Sequence, residues 1–152
     1  MQTERVTNMV TRHGYIDKFD TAEEIRECAK YYIEILGLQD WKFKFVLDTP
    51  SDLDNMGECE QNSVEKCACI TLDNREHPDL WFRQPHEMVL VHELLHCKIP
   101  LPSNEHWDGA IVDLFYHQLI DDMAKAVFFA RYGLTNKDLY FDESDENNGR
   151  EK

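Results

Sequence analysis

Pro85-His86-Glu87-Met88-Val89-Leu90-Val91-His92-Glu93-Leu94-Leu95-His96-Cys97-Lys98-Ile99-Pro100 is the stretch whose reading decides the fold. Proline is tolerated in a first helical turn, where its missing N–H would be unbonded anyway, and it stops a helix further on. The apolar run from Met88 to Ile99 between the two prolines therefore predicts a helix. Within it His92-Glu93-Leu94-Leu95-His96 is an HExxH pentad. Residues four apart share a helix face, so both imidazoles reach one metal ion. Glu93 is turned about 100° from His92, which puts its carboxylate beside such an ion rather than on it. A Zn2+ ion lowers the pKa of a bound water toward about 7, and a neighbouring carboxylate takes the proton as attack begins. With 7 His and 15 Glu in 152 residues, chance produces this pattern in about 3% of such chains. The competing reading is a core helix whose histidines are satisfied by hydrogen bonds.

A catalytic zinc site takes three protein ligands and keeps one position open. The third is sought on the next helix, which Ser103 or Asn104 can cap after the stiff Pro100-Leu101-Pro102 and which runs to Arg131-Tyr132-Gly133, roughly 40 Å. Ala110, Leu114, Ala124, Val127 and Phe128 form its apolar stripe, interrupted at four-residue steps by Asp113, His117 and Asp121. Antiparallel packing of the two helices would turn His117 toward the His92/His96 pair, with an aspartate, Asp121 or Asp113, orienting a histidine ring. His117 is taken as third ligand and His106 as the alternative, with Glu105 and Asp113 further candidates. A hydrogen-bonded core histidine is the competing reading of His117.

Working outward, Thr21 with Glu24 is a capping box. Ile25, Cys28, Ala29, Tyr32 and Leu36 recur at helical spacing, and Gly37 supplies a left-handed stop, so a helix is expected over 22–36. Trp41 to Leu47 alternates as a strand with Trp41, Phe43 and Phe45 inward, and Met56–Glu60 and Lys66–Leu72 are two more strand candidates. The fold class is α+β: an N-terminal helix, a small antiparallel sheet of about three strands, the HExxH helix and a long C-terminal helix. Residues 1–20 are read as an arm of unsettled order, 21–133 as one domain, and 134–152 as an acidic, disordered tail.

A net charge of −14 repels phosphate backbones and anionic headgroups, which argues against direct nucleic-acid or membrane partners. Five cysteines, an odd number, with no secretory signal point to reduced thiols in a cytoplasmic setting. No apolar run reaches the length of a membrane span. Cys59, Cys67 and Cys69 are read as buried thiols in preference to a second metal site, Cys97 as packing, and Trp107 and Phe115 as core. There is no Gly-rich phosphate loop and no CxxC pair.

Val89-Leu90-Val91-His92-Glu93-Leu94-Leu95-His96 resembles the zincin metallopeptidases, and more narrowly the small gluzincin-like proteins common in phage and bacterial genomes. The likeness covers roughly residues 21–132, with the pentad as its specific part. It implies a zincin-like fold, one Zn2+ ion, hydrolysis of a peptide bond with Glu93 as general base, and a peptide or protein substrate laid along a strand edge, Met56–Glu60 or Lys66–Leu72. In gluzincins the third ligand is a glutamate on the following helix, with an aspartate one turn later bracing a ligand histidine. Here His117 and Asp121 occupy those places, so the chain departs from the glutamate pattern. Some relatives act with a protein adaptor on a repressor or DNA-bound protein, and a phage origin would place the chain in the host cytoplasm. The reading from another class is a non-catalytic zinc-stabilised interaction module, in which the same ligands hold two helices together.

Overall fold

The computed structural model describes residues 9–76, 84–101 and 109–140. It is mixed α+β. Two short strands, β1 (Met9–Val10) and β2 (Ile16–Lys18), precede helix α1 (Ala22–Leu36). Three strands follow, β3 (Lys42–Leu47), β4 (Gly57–Asn62) and β5 (Cys67–Leu72), and then α2 (His86–Lys98), α3 (Gly109–Tyr132) and the one-turn α4 (Asn136–Tyr140). The Thr21/Glu24 capping box is formed and Gly37 closes α1 at φ 71°, as expected for a helix whose end carbonyls are met by a left-handed glycine. α2 runs from directly after Pro85 to within two residues of Pro100.

The sheet corrects the antiparallel expectation. Its order is β3-β5-β4, with β3 parallel to β5 and β4 antiparallel to β5. The cause is polarity. β5 reads Cys-Ala-Cys-Ile-Thr-Leu and buries Ala68, Ile70 and Leu72, whereas β4 carries Glu58, Glu60 and Gln61, and β3 carries Lys42 and Lys44. The apolar strand takes the middle, and the charged strands take the edges, where unpaired backbone groups meet solvent. Trp41, Phe43 and Phe45 do stack along one face, Phe45 buried and the others partly so.

Two boundaries also move. β1 and β2 pair antiparallel, and Tyr15 and Phe19 lie in the core, so residues 9–20 belong to the domain. They show no sustained period because a turn ending at Gly14, φ 96°, interrupts a hairpin only a few residues long. At the other end Leu134 is buried, and Asp138 accepts from the backbone and hydroxyl of Thr135, so 134–140 are structured. Residues 1–8 and 141–152, including the acidic stretch from Asp142, lie outside the described residues.

α2 is the centre of the molecule. It touches α1, α3, β2, β4 and β5, and its His86, Glu87 and Glu93 are buried beside its apolar residues. A buried carboxylate is tolerated only when its lone pairs are met. Glu87 Oε1 accepts from the Ile16 amide at 2.8 Å. Its Oε2 accepts from the Tyr32 and Tyr132 hydroxyls, each at 2.6 Å, and from Arg131 Nη1 at 2.8 Å. One side chain thus ties β2, α1, α2 and α3 together. Burial, reinforced by the Glu87 charge, pushes the Tyr32 and Tyr132 hydroxyls far above their ordinary pKa, so both stay protonated donors. His86 Nδ1 accepts from the Phe19 amide at 2.9 Å, fastening the hairpin end to the same helix.

On α3 the buried stripe is Tyr116, Ile120, Ala124 and Phe128. Ala110 and Leu114, expected inside, are exposed, and so is Phe115; Val127 is partly buried. Ser103, Asn104, Glu105, His106 and Trp107 lie outside the described residues. All five cysteines are free, Cys28 and Cys97 buried and the others half-buried.

Replacing Glu87 with Leu removes the acceptor for four donors and leaves Arg131 beside an apolar group. Loss of one partner of a buried charged pair costs about 3–5 kcal/mol, so urea unfolding of Glu87→Leu is expected to show a drop of that size, with Glu87→Gln milder. A loss below about 1 kcal/mol would mean that the hub does not hold these four elements.

Candidate metal centre

The pentad sits on α2 where that helix passes under β4 and against α3. Both histidine rings point into a cleft of about 390 Å³ lined by Met56 to Cys59 and Gln61 of β4 and its approach, by Val89, His92, Glu93 and His96 of α2, and by His117 and Asp121 of α3. The Nε2 atoms of His92 and His96 are 3.3 Å apart. Among the described residues, the donor atoms lying within 4.8 Å of one another belong to His92, Glu93 and His96.

What the rings present to the cleft is fixed by what holds their other nitrogens. Asp121 Oδ1 lies 2.8 Å from His92 Nδ1, so that nitrogen carries a proton and donates it. The Tyr116 hydroxyl donates to the Ile99 carbonyl at 2.6 Å and stands 2.9 Å from His96 Nδ1; having spent its own proton, it accepts from the ring. His117 Nδ1 lies 2.9 Å from the Asp113 carbonyl, an acceptor with no proton to give. Each ring, when neutral, therefore carries its proton on Nδ1 and a lone pair on Nε2, and the Nε2 atoms of His92 and His96 lie within hydrogen-bond distance of each other. Histidines that bind metals are held this way, through a carboxylate, carbonyl or hydroxyl on the far nitrogen.

Two bare lone pairs 3.3 Å apart repel unless a proton or a cation lies between them. Two nitrogens on a tetrahedral zinc ion, each at 2.0–2.1 Å, stand about 3.3 Å apart. The residues present fit such an ion. His117 stands further off: its ring centre is 5.8 Å from that of His96, and it is not among the residues whose donor atoms lie within 4.8 Å of one another. Sequence reasoning placed His117, Asp113 and Asp121 inside a buried stripe. They instead form an exposed ladder one residue round from it, which is why they face the cleft and not the core. His106 lies outside the described residues.

The electrostatics separate the groups. Burial pushes the His96 ring down, helped by its neighbours His92 and His117, to about 4. Burial acts the same way on His92, but the Asp121 hydrogen bond and the Glu93 charge outweigh it and leave its pKa raised. Glu93 is only 5% exposed. Burial raises its carboxyl to about 8, against the lowering pull of His92. Among the described residues no group donates a hydrogen bond to it, so its oxygens are available to the cleft. Gly57 sets their position: a methyl group there would lie 2.8 Å from Val89 Cγ1 and 3.1 Å from Glu93 Oε2, so only glycine lets β4 press this close to the helix.

Tyr116 was not singled out in the sequence. The signal was present only as an aromatic residue next to His117, and tyrosines on buried stripes are ordinary. Cys59 of β4 and Cys97 of α2 meet at the back of the site, Sγ to Sγ 3.8 Å.

Tyr116→Phe removes the acceptor for His96 Nδ1 while keeping the ring's packing. For a zinc ion held by His92 and His96, the affinity measured by competition with a chromogenic chelator is expected to fall about 10–100-fold with the melting curve little changed. Unchanged affinity would mean that the hydroxyl does not orient His96.

Compared with known proteins, the chain matches no family model, no curated protein sequence and no solved structure. The chemistry of the site rests on its own geometry.

Proposed function

We propose that this chain is a zincin-like, zinc-dependent peptidase in which His92 and His96, with His117 as third ligand, hold one Zn2+ ion and Glu93 is the general base. The observation that carries the reading is the shared tautomer. Three histidines on two helices each have Nδ1 engaged by an oxygen, and two of the resulting lone pairs converge at the spacing a tetrahedral ion requires.

A zinc ion bound there supplies Lewis acidity, acidifying a water and polarising a substrate carbonyl. The chain does the rest. Glu93 accepts the proton of the attacking water and can return it to the departing amine; its burial, with no donor to it among the described residues, makes it a stronger base than an exposed glutamate. Asp121 and Tyr116 keep the two imidazoles in the ligating tautomer. The edge strand β4 contributes Glu58 and Gln61 to the lining of the cleft, which supports an extended peptide that runs along that strand edge to the metal. An open cleft supports a catalytic site over a structural one, because a structural zinc is closed by four protein ligands.

The test is zinc content by elemental analysis on wild type, Glu93→Gln and His117→Ala, with peptide hydrolysis assayed beside each. One zinc per chain is expected in wild type and Glu93→Gln, with hydrolysis reduced at least about 10²-fold in the variant. His117→Ala is expected to bind zinc more weakly; unchanged binding would remove His117 as a ligand. Zinc retained in the wild type without hydrolysis of any peptide would make the ion structural, and a zinc-free wild type would end the proposal.

A further inference from the structure

The face of α3 turned away from α2 is apolar. Leu114, Phe115, Leu119 and Met123 are exposed by 55, 64, 47 and 36%, and Ile111 continues the row at 50%. Ile111, Phe115, Leu119 and Met123 stand at four-residue steps, so they form one ridge along the helix. Scattered exposed apolar residues need no explanation, but a contiguous row on one helix does.

We propose that this ridge is the interface of a two-fold symmetric homodimer, in which α3 packs antiparallel against α3 of a second copy. The register follows from the spacing. A two-fold axis passing near residue 117 sets Phe115 of one copy against Leu119 of the other and Ile111 against Met123, each contact made twice. The ridge is complementary to itself, as an interface of this symmetry requires. Ridges of the i±4 type interdigitate with their own kind at crossing angles near 50°.

The exposed area fits that occupant, and among the described residues no pair of like charges faces across the axis at close range. The five side chains leave on the order of 500 Å² exposed per copy, so two copies can bury at most about 1,000 Å², the threshold between a specific and a weak interface. Asp122 is the acid nearest the ridge. In this register it sits five residues from the axis, so the two Asp122 carboxylates are about 15 Å apart, beyond the screening length at physiological salt. The net charge of −14 per chain still opposes association at long range. The dimer is therefore weak, with Kd of about 1–100 µM, and tightens as salt rises.

Sedimentation equilibrium of the full chain from about 1 to 200 µM tests this. The mass is expected to rise from 18.0 kDa toward twice that value, at lower concentration in 0.5 M than in 0.05 M salt. A double Phe115→Lys, Leu119→Lys variant and a double Phe115→Asp, Leu119→Asp variant are each expected to stay monomeric with unchanged circular dichroism. An equimolar mixture of the two is expected to recover the dimer mass. A wild type that stays monomeric at 200 µM overturns the proposal, as does a dimer that both variants preserve.

Discussion

Glu87 is the constraint on which the rest of the molecule depends. The first turns of α2, surrounded by neighbouring elements, are buried from His86 to Val91, and they carry a carboxylate at the helix's second residue, 0% exposed. Such a group is stable only if donors come to it from every neighbour. Four do, from β2, α1 and two successive residues of α3. Arg131 is held in turn over the rings of Tyr31, Tyr32 and Tyr132, at 4.1, 5.2 and 5.1 Å, so its cation is flanked by aromatic faces as well as by the carboxylate. The buried Glu87 carboxylate is met by four donors, and pairing of that kind fixes which elements meet and in what orientation.

The same two helices that meet at this hub meet again at the pentad. α3 supplies Arg131 and Tyr132 to Glu87, and some ten to sixteen residues earlier it supplies Asp121 and Tyr116 to His92 and His96. At 1.5 Å per residue those two contacts are about 15–24 Å apart along the helix. A rigid helix fastened at one end positions its other end, so the hub determines how accurately the histidine tautomers are set. A site that must place two nitrogens 3.3 Å apart gains from being built on packed helices and not on loops.

α1 and α2 were legible because their stops are local: a capping box, a left-handed glycine and two prolines act on the backbone within a turn of themselves. The pentad was legible because metal geometry restricts spacing. The sheet order was not, since pairing of β3 with β5 across the intervening β4 is decided by which strand is most apolar, a comparison between segments that periodicity within one cannot make. The α3 stripe was misplaced for a related reason. Leu114 and Phe115 are as hydrophobic as Ile120 and Phe128, and sequence shows that a face is apolar without showing which apolar face is covered. Tyr116 was passed over because its function depends on a carbonyl, Ile99, in another part of the chain. The hairpin at residues 9–18 has strands too short for any period to establish itself.

Glu87 and Glu93 separate structure from function on one helix. They are the same residue type, six positions apart, and both buried. The first is met by four donors. The second, among the described residues, is met by none, although Gly57 brings strand β4 to within contact of its carboxylate. A carboxylate only 5% exposed, which meets the cleft and no donor among the described residues, costs free energy that packing could have removed with a leucine. That such a group stands beside two histidines whose far nitrogens are all occupied supports a site shaped for something that is not part of the chain, since a fold optimised for stability alone would have satisfied Glu93 as it satisfied Glu87.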